Sequence, residues 1–224
     1  MSSASPNTRK AQTPRRRKLN LRDPSKEGAI DHELLASLLA YSQGRLSATL
    51  LLRRFNSLGH VLSAEPSQLT EFGALASDVT LLRLVRRIAC RLLLGAVQSR
   101  PALGNWQAVL DYCQAAMAYD QVERFRILFL DRKNNLIVAE LQQQGTVDHT
   151  PVYPREVVKR ALLLNASALI LVHNHPSGDP MPSRDDVEMT RKLREALDPL
   201  GIALHDHLVI GHGKHASFRA LGLL

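Results

Sequence analysis

The sequence predicts an α/β (α+β) protein in which a small all-α domain precedes an α/β sandwich. Residues 29–100 carry apolar side chains at the spacing of amphipathic helices. Further along, Phe125, Ile127 and Phe129 occupy every second position, as the buried face of a strand does. Residues 168–172 are an unbroken apolar run, which is typical of a strand buried on both faces. Helical patterns separate these strands, and this alternation indicates layers of helices and sheet.

Charge and composition divide the chain into three expected parts. Residues 1–22 hold seven Lys or Arg and no Asp or Glu, which leaves 22 basic and 21 acidic residues in the remainder. Seven of the eight net positive charges therefore belong to this segment, which we expect to be a disordered basic tail. Weak contact of the tail with nucleic acid is the alternative. Residues 23–100 are expected to form the helical domain, and residues 101–224 the α/β domain.

Several function classes are excluded by the same inspection. No stretch reaches the 18 or more apolar residues of a membrane-spanning helix, and the basic tail lacks the apolar segment of a secretory signal. Cys90 and Cys113 both lie in apolar helical patterns, so we expect packed free thiols and a cytoplasmic location.

The stretch from His173 to Asp186 is the candidate for chemistry. His173 and His175 are two residues apart after the apolar run, so on an extended chain both imidazoles point to one side. Pro176 ends the strand, and Ser183 is a predicted N-cap of the next helix. Asp186 then lies in the first turn of that helix. Two imidazoles and one carboxylate make a three-ligand zinc set with a fourth position for water.

Each part of this pattern also has a plainer interpretation. Two histidines at a strand end can be ordinary polar residues at a sheet margin. Ser183 and Asp186 can form a capping box, in which the carboxylate binds the Ser183 amide. The metal interpretation is favoured because strand, paired histidines, turn, capped helix and carboxylate all coincide.

These residues resemble a known signature. His173-Asn174-His175-Pro176, followed after six residues by Ser183-x-x-Asp186, resembles the motif of JAMM (MPN) zinc metallohydrolases. Asn174 with Ser177-Gly178 is similar to the RadC branch of that family, as are residues 154–157 and 206–211. The resemblance covers about residues 120–224.

The resemblance implies both a fold and a chemistry. The fold is an MPN/JAMM-like (cytidine deaminase-like) α/β sandwich with a mixed sheet. The chemistry is zinc-dependent hydrolysis of an amide, isopeptide or peptide bond in an unknown peptide or isopeptide substrate. His173, His175 and Asp186 would bind Zn²⁺, and Ser183 would donate a hydrogen bond to the oxyanion.

Hydrolysis of this kind also needs a carboxylate that is not a ligand, to accept a proton from the attacking water. Glu123, at the start of the first strand, matches the place of the family's glutamate. A surface glutamate at a strand end is the plainer interpretation. Glu156 is the rival candidate, although its position at a helix start suits stabilisation by the helix dipole.

The helical part resembles the domain that precedes the metal domain in RadC proteins, which contains a helix-hairpin-helix element. Residues 72–76 keep one glycine of the phosphate-binding turn and lack the second. A predicted helix over residues 79–97 carries Arg83, Arg86, Arg87 and Arg91 mostly on one face. We interpret this helix as packed and solvated, because residues 23–118 hold nine basic and eight acidic residues. The alternative function is that of a nucleic-acid-associated accessory protein in DNA repair or recombination, with a structural metal site.

Four further histidines fall outside the predicted ligand set. His205, His207, His212 and His215 are close in sequence, but Gly211 and Gly213 predict flexibility around the second pair, and neither a cysteine nor a carboxylate completes a tetrahedral site. His207 is interpreted as a residue that supports the ligands or the fold.

Overall fold

The computed structural model of the chain describes residues 24–40, 46–144 and 152–224. The basic tail expected at residues 1–22 lies outside the described residues. None of the described helices is both long enough and apolar enough to cross a membrane.

The first part of the described chain is helical, as expected. Its helices are α1 (Pro24–Leu39), α2 (Ala48–Phe55), α3 (Leu58–Ser63), α4 (Pro66–Glu71) and α5 (Ala76–Gln98). Their apolar faces meet in one core that includes the fully buried side chains of Leu35, Leu51 and Val61. Short helices with single apolar faces are stable because they pack on one another in this way.

The helix α5 contributes to two cores. Near its start, Val79 and Leu82 pack in the helical core, whereas Val97 near its end packs with the helix and sheet that come after it. The domain boundary expected at residue 100 therefore falls just beyond a helix that both cores share.

The second part is a mixed sheet with helices on both faces, which confirms the predicted fold class. Its elements are α6 (Trp106–Met117), β1 (Arg124–Leu130), β2 (Leu136–Gln144), α7 (Pro154–Leu163), β3 (Ala168–Asn174), α8 (Arg184–Leu197), β4 (Ala203–Gly211) and β5 (Lys214–Ser217). Two short 3-10 turns, Ala102–Asn105 and Asp198–Leu200, join neighbouring elements. The sheet order is β2-β1-β3-β4-β5 in the described chain, and only β3 and β4 run parallel.

Alternation along the strands sorts side chains between the two faces. On β3, Ile170 and Val172 face a core that includes α6, whereas Leu169 and Leu171 face a core formed with α7 and α8. Because the period of a strand is two, His173 continues the face of Leu171, and Asn174 continues the face of Val172. The two faces of β3 thus deliver different polar side chains at its carboxyl end, where a crossover through α8 leads to β4.

The strand β5 was not expected from the sequence. Gly211 and Gly213 predicted a flexible segment, but Gly213 takes a φ of +65° in a tight turn that joins β4 to β5. The buried carboxylate of Asp206 fixes the end of β5 and the residues after it, because it accepts hydrogen bonds from the Ser217 hydroxyl at 2.5 Å and from the Arg219 amide at 3.0 Å. Tertiary hydrogen bonds, rather than local strand propensity, therefore hold this part of the chain against the sheet.

Both cysteines are free, as expected from their apolar surroundings. Cys113 is fully buried, and burial raises the pKa of its thiol to about 12. Burial also raises the pKa of the partly exposed Cys90. Neither thiol is a ready nucleophile.

Candidate metal centre

The structure brings His173, His175 and Asp186 together. The Nε2 atoms of the two histidines are 3.0 Å apart, and they lie 3.2 Å and 3.5 Å from the two carboxylate oxygens of Asp186. Two ligand atoms at about 2.1 Å from a tetrahedral zinc ion are roughly 3.4 Å apart, so these separations fit one shared ion. Within the described ranges, this is the group of three His, Cys, Asp or Glu residues whose ligand atoms could hold a metal.

The sheet places the two imidazoles on one side. His173 lies at the buried end of β3, one residue before Asn174, and the His175 amide still donates a hydrogen bond to the Ile210 carbonyl of β4 at 3.0 Å. The chain is thus extended through both histidines before Pro176 turns it away. His173 is fully buried, whereas the side chain of His175 is 18% exposed, so the centre opens to solvent on the His175 side.

The capping box and the metal set coexist. Ser183 is the N-cap of α8: its hydroxyl accepts the Asp186 amide at 3.1 Å, and Asp186 accepts the Ser183 amide at 2.7 Å. The Ser183 hydroxyl also donates to Asp186 at 2.6 Å. The cap thereby fixes the Asp186 carboxylate in the first turn with its oxygens directed at the histidines. The capping box expected as an alternative to metal binding thus orients the metal ligand.

A chain of hydrogen bonds fixes which nitrogen of His173 faces the centre. Thr190 donates to the Asp186 carbonyl at 2.6 Å, and its oxygen lies 2.6 Å from Nδ1 of His207. That oxygen therefore accepts the His207 Nδ1 proton, since a hydroxyl donates only once. Nε2 of His207 then accepts from Nδ1 of His173 at 2.8 Å. The lone pair of His173 is consequently on Nε2, where a metal would be.

Burial supports this arrangement. His207 is fully buried, and burial lowers its pKa well below the usual value, with the neighbouring His173 lowering it further. The neutral ring can accept the proton of His173. His207, interpreted from the sequence as a support for the ligands or the fold, lies directly behind His173. Thr190 was missed, although its position four residues after Asp186 on one helix face was a signal.

The second histidine is oriented by the loop. Nδ1 of His175 donates to the Asp179 carbonyl at 2.9 Å, so its Nε2 also faces the centre. The loop is held by close packing: Gly178 has a φ of +82°, and the His212 ring lies where a Cβ would be. A Cβ on Gly211 would collide with the Gly178 carbonyl oxygen.

His212 in turn rests on two more rings. It stacks on Tyr119 with ring centroids 5.6 Å apart and meets His60 of α3 edge-on at 4.6 Å. The helical part of the chain therefore touches the hairpin that supports the ligand loop. His205 instead contacts Asn134, and His215 is exposed on β5.

The charges of the centre are coupled. Burial alone would raise the pKa of Asp186, but its close contacts with His173 and His175 and the Ser183 hydroxyl hold it well below its ordinary value. The hydrogen bond to Asp186 raises the pKa of His175 against the effect of burial, and the charge of Glu123 raises it further. Asp186 is thus an anion at neutral pH, and a metal ion competes with a proton for His175.

The two candidate bases are in different surroundings. Glu123 is partly buried just before β1, and its carboxylate is close enough to His175 to act on the pKa of that residue. Glu156 is exposed in the first turn of α7 and pairs with Arg155 at 3.1 Å. This difference supports Glu123 and leaves Glu156 in the helix-start role that its position suggested.

Comparison with known proteins agrees with this geometry. A family model described as a RadC-like JAB domain matches residues 103–223, more than half of the chain. A protein from Rhodobacter capsulatus is 56% identical over 203 residues, which are 88% of this chain and 95% of the relative. Its name, UPF0758 protein, states no activity. The matched region contains every residue of the candidate metal centre.

Proposed function

The chain belongs to the RadC family of JAB-domain proteins, and on that premise we propose that it is a zinc-dependent hydrolase of amide, peptide or isopeptide bonds. The observation that carries the proposal is the convergence of His173, His175 and Asp186 with both imidazoles already turned to present Nε2. Ligands fixed in advance in this way suit a site that binds an ion and keeps a position open.

The residues present fit a divalent metal. Two neutral imidazole nitrogens and one carboxylate are the protein ligands of many catalytic zinc sites. When bound, such an ion lowers the pKa of a coordinated water molecule and polarises the substrate carbonyl. The buried side of the centre, formed by His173 and His207, excludes solvent, while the His175 side admits a substrate.

Glu123 is the proposed general base. Glu123 is not among the three residues whose ligand atoms converge, but its charge raises the pKa of His175, which is one of them. A carboxylate in this place can accept the proton of the attacking water and pass it to the leaving amine.

Ser183 is the proposed donor to the oxyanion. In the structure its hydroxyl proton is directed at Asp186 at 2.6 Å, so this role requires a rotation of the hydroxyl from the carboxylate to the substrate. Ser183 is exposed, which leaves room for that rotation. A single donor of this kind is worth roughly 3 kcal/mol of transition-state stabilisation.

The proposal is tested by zinc content. Elemental analysis of purified wild type is expected to give about one zinc per chain, with a sharp loss in His175→Ala and Asp186→Ala. Glu123→Gln should retain the metal and lose hydrolysis when peptide and isopeptide substrates are screened. His215→Ala removes an exposed histidine on β5 and is the matched control. Wild type that binds no zinc when zinc is supplied would refute the proposal.

A groove beside α5 supports a second candidate function, contact with nucleic acid. The groove has a volume of about 690 Å³ and lies between α5, α6 and β1. Its described lining holds five arginines and no acidic residue: Arg86, Arg87, Arg91, Arg124 and Arg126. Concentrated positive charge is what phosphate binding needs, and Asp120 beside the groove offsets part of it by pairing with Arg86 and Arg124.

The turn at residues 72–76 argues against phosphate binding and therefore favours the hydrolase over the nucleic-acid function. Gly73 takes a φ of +88° between α4 and α5, but the Leu75 amide at the start of α5 already donates to the buried carboxylate of Asp78 at 2.9 Å. A carboxylate at this position repels a phosphate. Salt-dependent DNA retention, compared among wild type, a chain without residues 1–22 and Arg87→Glu/Arg91→Glu, tests the second candidate. Retention that survives the deletion and is lost in the double variant would support it.

A further inference from the structure

We infer that Asn174 is a positioning residue that holds Glu123 at the metal centre. This inference rests on the proposed function, because it concerns the base of the proposed reaction. Asn174 lies between the two histidine ligands in sequence but on the opposite face of β3, with no exposed surface. It is therefore well placed to connect the ligand strand to another segment without touching the ion.

The amide of Asn174 binds the chain on both sides of Glu123. Its Oδ1 accepts the Arg124 amide at 2.9 Å, and its Nδ2 donates to the Val122 carbonyl at 3.2 Å. The same Nδ2 donates to the Asp120 carbonyl at 3.4 Å. One side chain thus fixes the backbone immediately before and immediately after the proposed base.

The sheet by itself does not extend this far. The ladder between β1 and β3 begins with the pair Phe125 and His173, and the ladder between β1 and β2 ends at the pair Arg124 and Gln144. Glu123 precedes both. The hydrogen bonds of Asn174 attach the chain around Glu123 to β3 beyond the last pair of the ladder. They therefore fix the position of Glu123 relative to His173 and His175.

The chemistry explains why an asparagine suits this position. Its side chain supplies one acceptor and two donors without a charge, which matches one backbone amide and two carbonyls. An aspartate of the same shape keeps the acceptor but places a carboxylate oxygen against the carbonyls of Val122 and Asp120. A buried pair of acceptors without a proton is unfavourable, so this substitution should release the segment.

Ion pairs hold the other side of the same segment. Asp120 contacts Arg86 of α5 at 2.6 Å and Arg124 at 3.3 Å, and Arg86 also donates to the Ala116 carbonyl. These contacts anchor residues 116–124 to the helices. The contacts of Asn174 instead bind this segment to β3, which carries His173. The expected effect of an Asn174 substitution is therefore on the position of Glu123 relative to the metal ligands, and not on the packing of the segment against the helices.

The test uses full-length protein loaded with cobalt(II), whose visible spectrum reports on the groups around the ion. The variants are Glu123→Gln, Asn174→Asp and Asn174→Ser. Asn105→Asp is the control, in which a partly exposed amide that bonds the Ala96 carbonyl of α5, and not the segment of Glu123, becomes a carboxylate. We expect every variant to bind one cobalt with nearly wild-type affinity. The spectra of both Asn174 variants should shift toward that of Glu123→Gln, and Asn105→Asp should keep the wild-type spectrum.

Hydrogen exchange supplies the second measurement. Amide exchange of residues 120–126 should accelerate by about tenfold or more in the Asn174 variants, since a protecting contact is lost, and should be unchanged in Glu123→Gln. Once a substrate is known, the Asn174 variants should lower kcat with little change in KM.

The outcomes separate the two proposals. A wild type that binds no cobalt refutes the proposed function itself. A wild type that binds cobalt while the Asn174 variants keep its spectrum and exchange rates overturns the inference alone. Loss of cobalt in both Asn174 variants also overturns it, because Asn174 would then support the ligands. A Glu123→Gln spectrum equal to that of wild type overturns it as well, since Glu123 would not face the ion.

Discussion

Nδ1 of His173 lies 2.8 Å from Nε2 of the fully buried His207, and this hydrogen bond decides how His173 can bind a metal. His207 cannot supply the proton, because Thr190 holds its other nitrogen as the donor. The proton of His173 is therefore on Nδ1, which donates it to His207, and the Nε2 lone pair faces the metal centre. Partners that orient a ligating histidine in this way commonly change metal affinity 10- to 100-fold when they are removed.

We predict that His207→Phe weakens metal binding by roughly 10- to 100-fold without unfolding the protein. Phenylalanine retains the stacking on Phe218, where the ring centroids are now 4.4 Å apart, but cannot accept from His173. Zinc affinity measured by competition with a chromogenic chelator gives the value. His215→Ala is the control, and a His207→Phe protein with wild-type affinity would contradict the role.

Thiol labelling should distinguish the two cysteines. Burial raises the pKa of Cys113 to about 12, so at pH 8 this thiol is protonated as well as inaccessible. We expect a disulfide reagent to modify Cys90 slowly in the native protein and Cys113 only after denaturation. Cys90→Ala isolates the signal of Cys113, and rapid native labelling of that variant would show that α6 packs more loosely than the structure indicates.

The ion pair between Glu140 and Arg160 should make stability depend on acid pH. The hydrogen bond from Arg160 on α7 lowers the pKa of Glu140 on β2, with Nε and Oε2 at 2.9 Å. A lowered folded-state pKa stabilises the fold above the unfolded pKa of about 4.3, and this contribution is lost as pH falls through the folded value.

The corresponding prediction is that Arg160→Gln flattens the acid dependence. Urea unfolding of chelator-treated protein should show wild type more stable than the variant at pH 6, with the difference shrinking as pH falls below 4. Arg155→Gln disrupts an ion pair in which the Arg155 side chain is 88% exposed, and it should change little. An equal difference at every pH would mean that Arg160 acts through packing alone.

The sequence predicted the parts of the site that depend on local periodicity. Alternation after residues 168–172 placed His173 and His175 on one side, and the N-cap pattern placed Asp186 in the first turn of α8. Both features follow from the geometry of a single element, and so does the order of the helices and most of the strands.

The features that the sequence could not predict depend on contacts between distant segments. The strand β5 forms because Asp206 binds Ser217 and the amide of Arg219, which are 11 and 13 residues away. Asn174 binds a segment about 50 residues earlier, and its role is invisible until β1 and β3 pair. Predicting such contacts requires knowing which strands are neighbours in the sheet, and the hydrophobic periodicity of the sequence does not give this information.

Gly178 and Gly95 provide a pair of alanine substitutions with opposite expected signs. At Gly178, a Cβ would meet the His212 ring at 2.5 Å, and its φ of +82° is unfavourable for any other residue. Gly178→Ala should destabilise the protein by at least about 1 kcal/mol. It should also weaken zinc binding, because the loop that orients His175 must move.

Gly95 lies exposed inside α5 with nothing near its Cβ position, so Gly95→Ala should stabilise the protein by about 0.5–1 kcal/mol and leave zinc affinity unchanged. Urea unfolding and chelator competition on both variants measure the two effects. Wild-type zinc affinity in Gly178→Ala would show that the loop tolerates the shift without disturbing the metal centre.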